Sequence, residues 1–321
     1  MVTNLKLNKL RLPAGRKGGI LYNLRKDLVM NRYIYLMLLP VIIYFLIFQY
    51  QPMYGAQIAF RQYNPSEGIW GSPWIGLKYF EAFLTSGYFF RILKNTLILN
   101  LYNLLFDFPI HIVMALLINE VRISFFKRTV QTVTYIPHFI SVVVMCGITI
   151  DFVSKHGLIN SLITTITGRE PIMFMVKPEW FRTIYISTSI WQSIGWGTII
   201  FLAALSNIDP NLYEAAMIDG AGKLKQIWHV TLPCLLPTII ILLILRMGRM
   251  MNVGAEKILL LYNPLTYETG DVISTFVYRK GLLEMNFSYS TAVGLFNSMV
   301  NLTFLLTMNR ISRKVSETSL W

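Results

Sequence analysis

The side chains most often used in catalysis and metal binding are scarce in this chain. It contains four histidines and two cysteines, and they are dispersed along the sequence. They are His111, His138, His156, His229, Cys146 and Cys234. No HExxH, GxSxG, Walker A or CxxC sequence occurs, so nucleophilic, metal-assisted and phosphate-binding chemistry have no candidate motif. The sequence therefore predicts no catalytic residue, no metal site and no cofactor held by this chain.

Three ionisable residues stand inside apolar stretches, where a charge is costly and is usually functional or paired. Asp107 and His111 are four residues apart, which places them on one helical face and favours a structural hydrogen-bonded pair. Asp151 is expected near a membrane boundary, in contact with water. The alternative is a proton relay through Asp107 and Asp151, as in a proton-coupled transporter or channel that acts alone. An intramembrane enzyme built on paired aspartates is a further alternative.

The elements that position these residues are long apolar segments. Hydrophobic residues make up 54% of the 321 residues and charged residues only 14%, below the soluble average of about 25%. About 20 apolar residues span a bilayer, and six segments qualify. They are Tyr33–Tyr50, Arg91–Leu117, Val130–Val153, Thr183–Leu205, Leu232–Met251 and Ser290–Met308. The predicted fold is an all-α polytopic membrane protein with six transmembrane helices.

The positive charges alternate between the segments that connect these helices. The net charge is +13, but lysine and arginine collect in loops rather than in a nucleic-acid-binding patch, so no nucleic-acid partner is expected. The basic connections are 1–32, the loops after the second and fourth spans, and the tail 311–321. Because positive loops stay in the cytoplasm, both termini are predicted to be cytoplasmic. The transmembrane domain is predicted to cover residues 33–310.

The cytoplasmic loop before the fifth span, residues 206–233, has readable local structure. Asp209 suits an N-cap and Pro210 the first helical position, so a short helix is expected over Asn211–Asp219. Gly220 and Gly222 are expected to end that helix, because glycine adopts the left-handed conformation of a helix end.

A second short helix is expected over Lys223–Val230, directly after the two glycines. Thr231 is expected to cap the next helix, with Pro233 in its first turn. The loop therefore predicts a helical hairpin, which either covers the bundle or inserts into a groove of a partner.

This loop resembles the EAA signature of permease subunits in ABC importers. The matching residues are Glu214, Ala215, Ala216, Asp219, Gly220 and Ala221, followed by Leu232 and Pro233. Other stretches resemble the lipoprotein/polysaccharide-type branch of carbohydrate permeases. These are 32–40, Pro52-Met53-Tyr54-Gly55, Tyr135-Ile136-Pro137 and 309–321.

The resemblance implies a type I permease fold in a bacterial cytoplasmic (inner) membrane. It implies a second homologous permease, a dimer of ATPase subunits, an extracytoplasmic solute-binding protein and an oligosaccharide substrate, alginate and pectin fragments among the family's cargoes. ATP and Mg would be bound by the partner ATPase, so this subunit is expected to be non-catalytic.

The resemblance also assigns roles within the hairpin. Residues 214–216 and 219–222, with Leu232 and Pro233, would couple the permease to the ATPase. The small side chains of Ala215 and Ala216 would allow close approach, and Glu214 would pair with a basic group on the ATPase. The alternative for Glu214 is an internal cap of the hairpin.

A sugar path requires aromatic faces and polar groups inside the spans. The candidates are Trp191, Gln192, Trp196, Arg249, Asn252, Asn297 and Asn301. Hydrogen bonding between helices is the alternative role for the polar members. Arg246 and Arg249 are expected where the fifth span reaches the outer side, either extending to the interface or attracting an acidic sugar.

Overall fold

A computed structural model of the chain describes residues 27–315, with side chains as far as residue 313. Most of the predicted basic segment 1–32 and part of the predicted tail 311–321 lie outside the described residues. The cytoplasmic location of the two termini stays a prediction.

The described part of the chain is helical. Two isolated bridges, Arg61 with Trp74 and Asn64 with Gly68, are the β-type pairings found within it. The α-helices are Arg32–Phe45, Gln51–Met53, Gly68–Gly71, Lys78–Leu84, Phe89–Tyr102, Phe108–Glu120, Ser124–Tyr135, Val142–Val153, Leu158–Thr167, Pro178–Ser206, Pro210–Ile218, Lys223–Gln226, Leu232–Met247, Ala255–Leu261, Tyr267–Gly270, Ile273–Tyr278 and Phe287–Val315.

Shorter helical types connect several of these helices. The π-helical segments are Leu46–Tyr50, Asn103–Asp107, Ile227–Thr231 and Arg279–Leu283. The 3₁₀ segments are Tyr54–Phe60, Ile136–Phe139, Phe174–Val176 and Pro264–Thr266.

Six helical stretches are long and apolar enough to cross a membrane, which confirms the predicted fold class. They are Arg32–Phe60, Phe89–Glu120, Val142–Thr167, Pro178–Ser206, Lys223–Met247 and Phe287–Arg313, and they are called the first to sixth spans below. The chain divides into two compact units. The first unit ends at Ala56 and contains most of the first span, whose helix Arg32–Phe45 includes Pro40. The second unit begins at Gln57 and contains the other five spans.

The fourth span is the central helix of the second unit and contacts the second and fifth spans and helix Ser124–Tyr135. Its residues Phe181 and Tyr185 belong to the largest buried cluster, together with Leu99 of the second span and Met145 of the third. Near its other end, Phe201 packs with Phe108 and Leu235 in a separate cluster.

The helices before the third span also run beside the fourth span, and we call residues 124–153 the third crossing. Helix Ser124–Tyr135 approaches the fourth span so closely that a Cβ on Gly195 would lie 2.2 Å from the Thr134 carbonyl oxygen. Further along, Gln192 donates to the Ile140 carbonyl at 3.2 Å. Val153 then clusters with Ile184. Because these partners run backwards along the fourth span, residues 124–153 form an antiparallel crossing beside it. This agrees with the predicted span Val130–Val153, and Leu158–Thr167 is a separate helix beyond its end.

Candidate functional site

The hairpin between the fourth and fifth spans, residues 210–231, is held by its own local bonds. Asp209 caps the first arm, because its Oδ1 accepts from the Asn211 N–H at 2.9 Å. The first arm, Pro210–Ile218, ends at Gly220, whose φ is 73°. The Gly220 N–H donates to the Met217 carbonyl at 3.0 Å, and the Ala221 N–H donates to the Ala216 carbonyl at 2.8 Å. This pair of bonds is a Schellman motif, so the predicted cap and left-handed Gly220 are confirmed.

Two local predictions for the hairpin are wrong. Gly222 has φ −67°, a value open to any residue, so only Gly220 makes the turn. Thr231 is helical and does not cap a new helix. The second arm instead runs from Lys223 through the π-helical turn Ile227–Thr231 into helix Leu232–Met247 without interruption. Threonine capping requires a non-helical backbone, and Thr231 has φ −66° and ψ −52°.

Side chains join the two arms to each other and to the second span. The Thr231 hydroxyl lies 3.0 Å from the Tyr213 hydroxyl, and Gln226 Nε2 donates to the Ala221 carbonyl at 2.9 Å. Lys223 Nζ lies 2.9 Å from Glu120 Oε2, at the end of the second span. The Glu214 carboxylate forms no hydrogen bond or ion pair with any described residue, so the internal-cap alternative for Glu214 is wrong.

The far end of the fifth span is fixed by an ion pair between a half-buried arginine and a buried carboxylate. Arg246 Nη2 lies 2.6 Å from Asp107 Oδ2, and it also donates to the Asn103 carbonyl at 3.1 Å. The Ser193 hydroxyl donates to Asp107 Oδ1 at 2.6 Å. The second, fourth and fifth spans therefore meet at one carboxylate. The predicted placement of Arg246 at the outer interface is wrong, because a carboxylate inside the bundle binds it.

The predicted pair of Asp107 with His111 exists only in a weaker form. Their nearest atoms, His111 Nε2 and Asp107 Oδ1, are 3.7 Å apart, beyond hydrogen-bond distance. His111 Nε2 instead lies 3.3 Å from the Ser193 hydroxyl. Arg246 is the main partner of Asp107, which leaves this carboxylate poorly suited to the proton relay considered above. Asp151 is exposed, as expected.

The helix ends at Met247, one residue after Arg246, and residues 248–254 form a break in the middle of the bundle. Its depth follows from the ion pair. Asp107 precedes the 13-residue helix Phe108–Glu120. That length places it roughly 20 Å from the hairpin end of the bundle at 1.5 Å per residue. Irregular backbone at this depth is tolerated where it is packed in protein or lines a water-filled cavity.

An asparagine cluster, Asn252, Asn297 and Asn301, surrounds this break. Asn252 Oδ1 accepts from Asn297 Nδ2 at 3.0 Å and from Asn301 Nδ2 at 3.3 Å. Asn301 Oδ1 accepts from the Met251 N–H at 2.8 Å, which satisfies a donor released by the break. Asn297 Oδ1 is buried and finds no partner in the described part of the chain. Arg249 is exposed and precedes Asn252 by three residues in the sequence. Four of the predicted path residues thus belong to the break and the sixth span that covers it.

The other three predicted path residues contact the third crossing instead. Trp196 stacks on His138 with ring centroids 4.5 Å apart, and Gln192 donates to the Ile140 carbonyl. Trp191 lines an apolar cavity of about 440 Å³ together with Thr149 and Trp180. Their role in a sugar path stays a prediction.

Sequence reasoning missed a buried lysine beside this site. Lys257 is only 7% exposed, and its Nζ donates to Ser189 Oγ at 2.7 Å and to the Tyr185 carbonyl at 2.9 Å. It attaches the helix after the break, Ala255–Leu261, to the fourth span. The available signal was a lysine directly before the apolar run Ile258–Leu261, because a lysine that is buried with such a run must find internal partners.

Comparisons with known proteins identify relatives of the whole chain. Residues 108–317 match the family model "Binding-protein-dependent transport system inner membrane component". The chain is 44% identical to "Protein LplB" of Bacillus subtilis (strain 168), over 97% of this chain and 96% of that protein. It is 48% identical to the "Polygalacturonan/rhamnogalacturonan transport system permease protein YteP" of the same organism, over 92% of each chain.

Solved structures give the same result. One chain of a bacterial ABC transporter involved in the import of the acidic polysaccharide alginate superposes with a TM-score of 0.85 and 45% identity, covering 92% of this chain and 99% of that chain. A chain of the alginate transporter in complex with alginate pentasaccharide-bound periplasmic protein gives a TM-score of 0.86 at the same identity and coverage.

The Asp107–Arg246 pair generates a stability prediction. Replacing Arg246 with Met should lower the free energy of unfolding by about 3 kcal/mol, because a buried carboxylate would lose its partner. The double variant Asp107→Leu/Arg246→Met should recover most of this loss, because no charge then remains buried. Thermal unfolding of the purified assembly measures both. A double variant as unstable as Arg246→Met alone would contradict the pairing.

Proposed function

Because the chain belongs to the binding-protein-dependent transport system inner membrane components, a family of ABC importer permeases, we propose that it moves oligosaccharides across the bacterial inner membrane using ATP hydrolysed by separate subunits. It works beside a second, homologous permease. An extracytoplasmic solute-binding protein delivers the sugar. ATP and Mg bind to a dimer of ATPase subunits, and this chain holds no cofactor.

The hairpin is the proposed docking element for the ATPase. It exposes large apolar side chains that a soluble loop would normally bury, with Ile218 86% and Trp228 67% exposed. Glu214 projects from the first arm without an internal partner and is available for a basic group. Residues 214–216 and 219–221 therefore form the contact surface, and Gly222, Leu232 and Pro233 lead from it into the membrane.

The observation that carries the proposal is the continuity of the second arm with the fifth span. Lys223–Met247 is one helical stretch with a π-helical turn inside it. The end at Lys223 belongs to the docking hairpin, and the end at Met247 carries Arg246 and leads into the break. Motion imposed on the hairpin by ATP binding is thus delivered directly to the asparagine cluster, which is what alternating access requires.

The break is the proposed sugar-contacting surface of this subunit. Polar groups at mid-membrane depth face a cavity or another helix rather than lipid. The asparagine amides supply donors and acceptors for sugar hydroxyls, and Arg249 supplies a positive charge that no described carboxylate pairs with. The unpartnered Asn297 Oδ1 is an acceptor that a hydroxyl would satisfy.

The cargo is proposed to be an acidic oligosaccharide. The relative YteP is named for polygalacturonan and rhamnogalacturonan, and the similar solved transporter is described as an importer of alginate. Both names denote polymers that contain uronic acids. Fragments of such polymers are therefore the cargo class to test first.

The turn at Gly220 generates the first functional prediction. Gly220→Val should abolish sugar uptake while the assembly still hydrolyses ATP, because a β-branched residue resists φ 73° and the hairpin would lose its shape. Gly220→Asn is the matched control, since asparagine tolerates this conformation. Uptake and substrate-stimulated ATPase activity are measured in proteoliposomes. Normal coupling in Gly220→Val would contradict the role of the turn.

The asparagine cluster generates the second functional prediction. Asn297→Leu should raise the sugar concentration needed for half-maximal uptake roughly fivefold, the effect of losing about one hydrogen bond. Basal ATPase activity should stay unchanged. Ser298→Ala, one residue along the same helix, should behave like the wild type. An unaltered Asn297→Leu transporter would remove this residue from the sugar path.

A further inference from the structure

A second group of charged residues lies at the opposite end of the bundle from the hairpin. Asp271 is fully buried, and Arg279 binds it with two hydrogen bonds, Nη2 to Oδ2 at 2.7 Å and Nη1 to Oδ1 at 3.2 Å. Arg91 approaches the same Oδ2 at 3.6 Å. Burial lowers the pKa of Arg279, but the hydrogen bonds and charge of Asp271 outweigh this and raise it above its ordinary value. Arg279 is therefore charged at neutral pH.

A third arginine, Arg182, is linked to the backbone around Asp271 through Asn95 and does not contact the carboxylate. Asn95 Nδ2 donates to the backbone carbonyls of Asp271 at 3.1 Å and of Glu268 at 2.9 Å. Arg182 Nη2 donates to the side-chain oxygen of that asparagine at 2.9 Å. No carboxylate among the described residues forms an ion pair with Arg182. We call Arg91, Arg182 and Arg279 the arginine cluster.

The arginine cluster carries more positive charge than its own structure neutralises. Arg279 and Arg91 flank one buried carboxylate, and Arg182 is linked to the same segment through Asn95. The exposed side chain of Glu268 pairs with none of the three. A structural ion pair needs only one arginine, and here Arg279 already supplies a bidentate partner. The Nε atoms of Arg91 and Arg182 are buried without a hydrogen-bond acceptor in the described part of the chain. Such incomplete pairing is costly unless a further anion compensates it.

Aromatic rings hold two of these guanidinium groups in place. Arg91 lies over the Tyr88 ring at 5.2 Å, and Arg279 lies over the Tyr267 ring at 4.8 Å. Stacking fixes the plane of a guanidinium group and leaves its edge available for planar, bidentate anions. Carboxylate is such an anion, whereas a neutral sugar hydroxyl gains little from the charge.

The position of the cluster relates it to the delivery of cargo. Arg91 and Arg182 lie at the starts of the second and fourth spans, and the other ends of these spans lead to Glu120 and the hairpin. The helix after Asp271 reaches back to the break, because Ser274 Oγ donates to the Val253 carbonyl at 3.3 Å. With the hairpin in the cytoplasm, the arginine cluster faces the solute-binding protein, one short helix away from the asparagine cluster.

We propose that the arginine cluster binds carboxylate groups of an acidic oligosaccharide as the chain passes from the solute-binding protein to the break. This assignment rests on the proposed oligosaccharide transport and adds to it a charge-reading site at the outer end. Arg182 is the principal contact, because it pairs with no carboxylate among residues 27–313. Asp271 and Arg279 position the other members.

The test uses the complete transporter in proteoliposomes and two cargoes, a galacturonate pentasaccharide and its fully methyl-esterified, neutral form. Arg182→Gln should lower the uptake rate of the acidic pentasaccharide roughly tenfold at low salt and leave that of the ester unchanged, because one charge-assisted bond is lost. Arg169→Gln is the matched control, since Arg169 is an exposed arginine that precedes the fourth span. It should transport both cargoes like the wild type.

Equal losses for both cargoes would show that Arg182 is merely structural and would overturn the proposal, as would no loss for either. Binding of the two pentasaccharides to the assembly without its solute-binding protein is measured alongside. If the wild type imports neither cargo, the proposed transport function fails for this class. The arginine cluster is then tested by binding alone. The proposal is overturned if the wild-type assembly binds the acidic pentasaccharide no more tightly than its ester. It is also overturned if Arg182→Gln binds the acidic pentasaccharide as tightly as the wild type does.

Discussion

The ion pair between Arg246 and Asp107 determines where the fifth span stops and what its end can do. A carboxylate that is 8% exposed inside a bilayer protein requires a cation, and Arg246 is the residue that reaches it. Because the same guanidinium also binds the carbonyl of Asn103, it uses an acceptor in the π-helical turn of the second span. The helix ends directly afterwards. The ion pair therefore holds a polar break at mid-membrane depth.

Two further interactions attach the break to neighbouring spans. Asn301 accepts the Met251 N–H, and Lys257 joins the following short helix to the fourth span through Ser189. The break is thus attached to the fourth and sixth spans, while its other side continues down the fifth span to the hairpin. Since the fourth and fifth spans are also the two spans that the hairpin connects, displacement of the hairpin reaches the break along both. In the proposed function, this geometry carries the motion of an ATPase partner from the hairpin to the break.

Local structure was predictable from the sequence where neighbouring residues determine it. The cap at Asp209, the first arm and the left-handed Gly220 were correct, because capping and glycine conformation depend on a few adjacent residues. The capping role of Thr231 was wrong because Thr231 lies inside a continuous helix, where its hydroxyl bonds to that of Tyr213, eighteen residues away. The partner of Arg246 lies 139 residues away and could not be read from spacing. The asparagines were named correctly as polar groups within spans, but their clustering around a break, and the arginine cluster around Asp271, depend on tertiary contacts.

The central claim is that the second arm and the fifth span move as one rigid helix from the hairpin to the break. Pulsed electron paramagnetic resonance between spin labels at Lys225 and Leu245, with Cys146 and Cys234 replaced by serine, measures this directly in the complete transporter. The predicted result is one narrow distance distribution, the same without nucleotide and with ATP bound. A distribution that shifts or broadens when ATP binds would place a hinge at the π-helical turn Ile227–Thr231 and would contradict the claim.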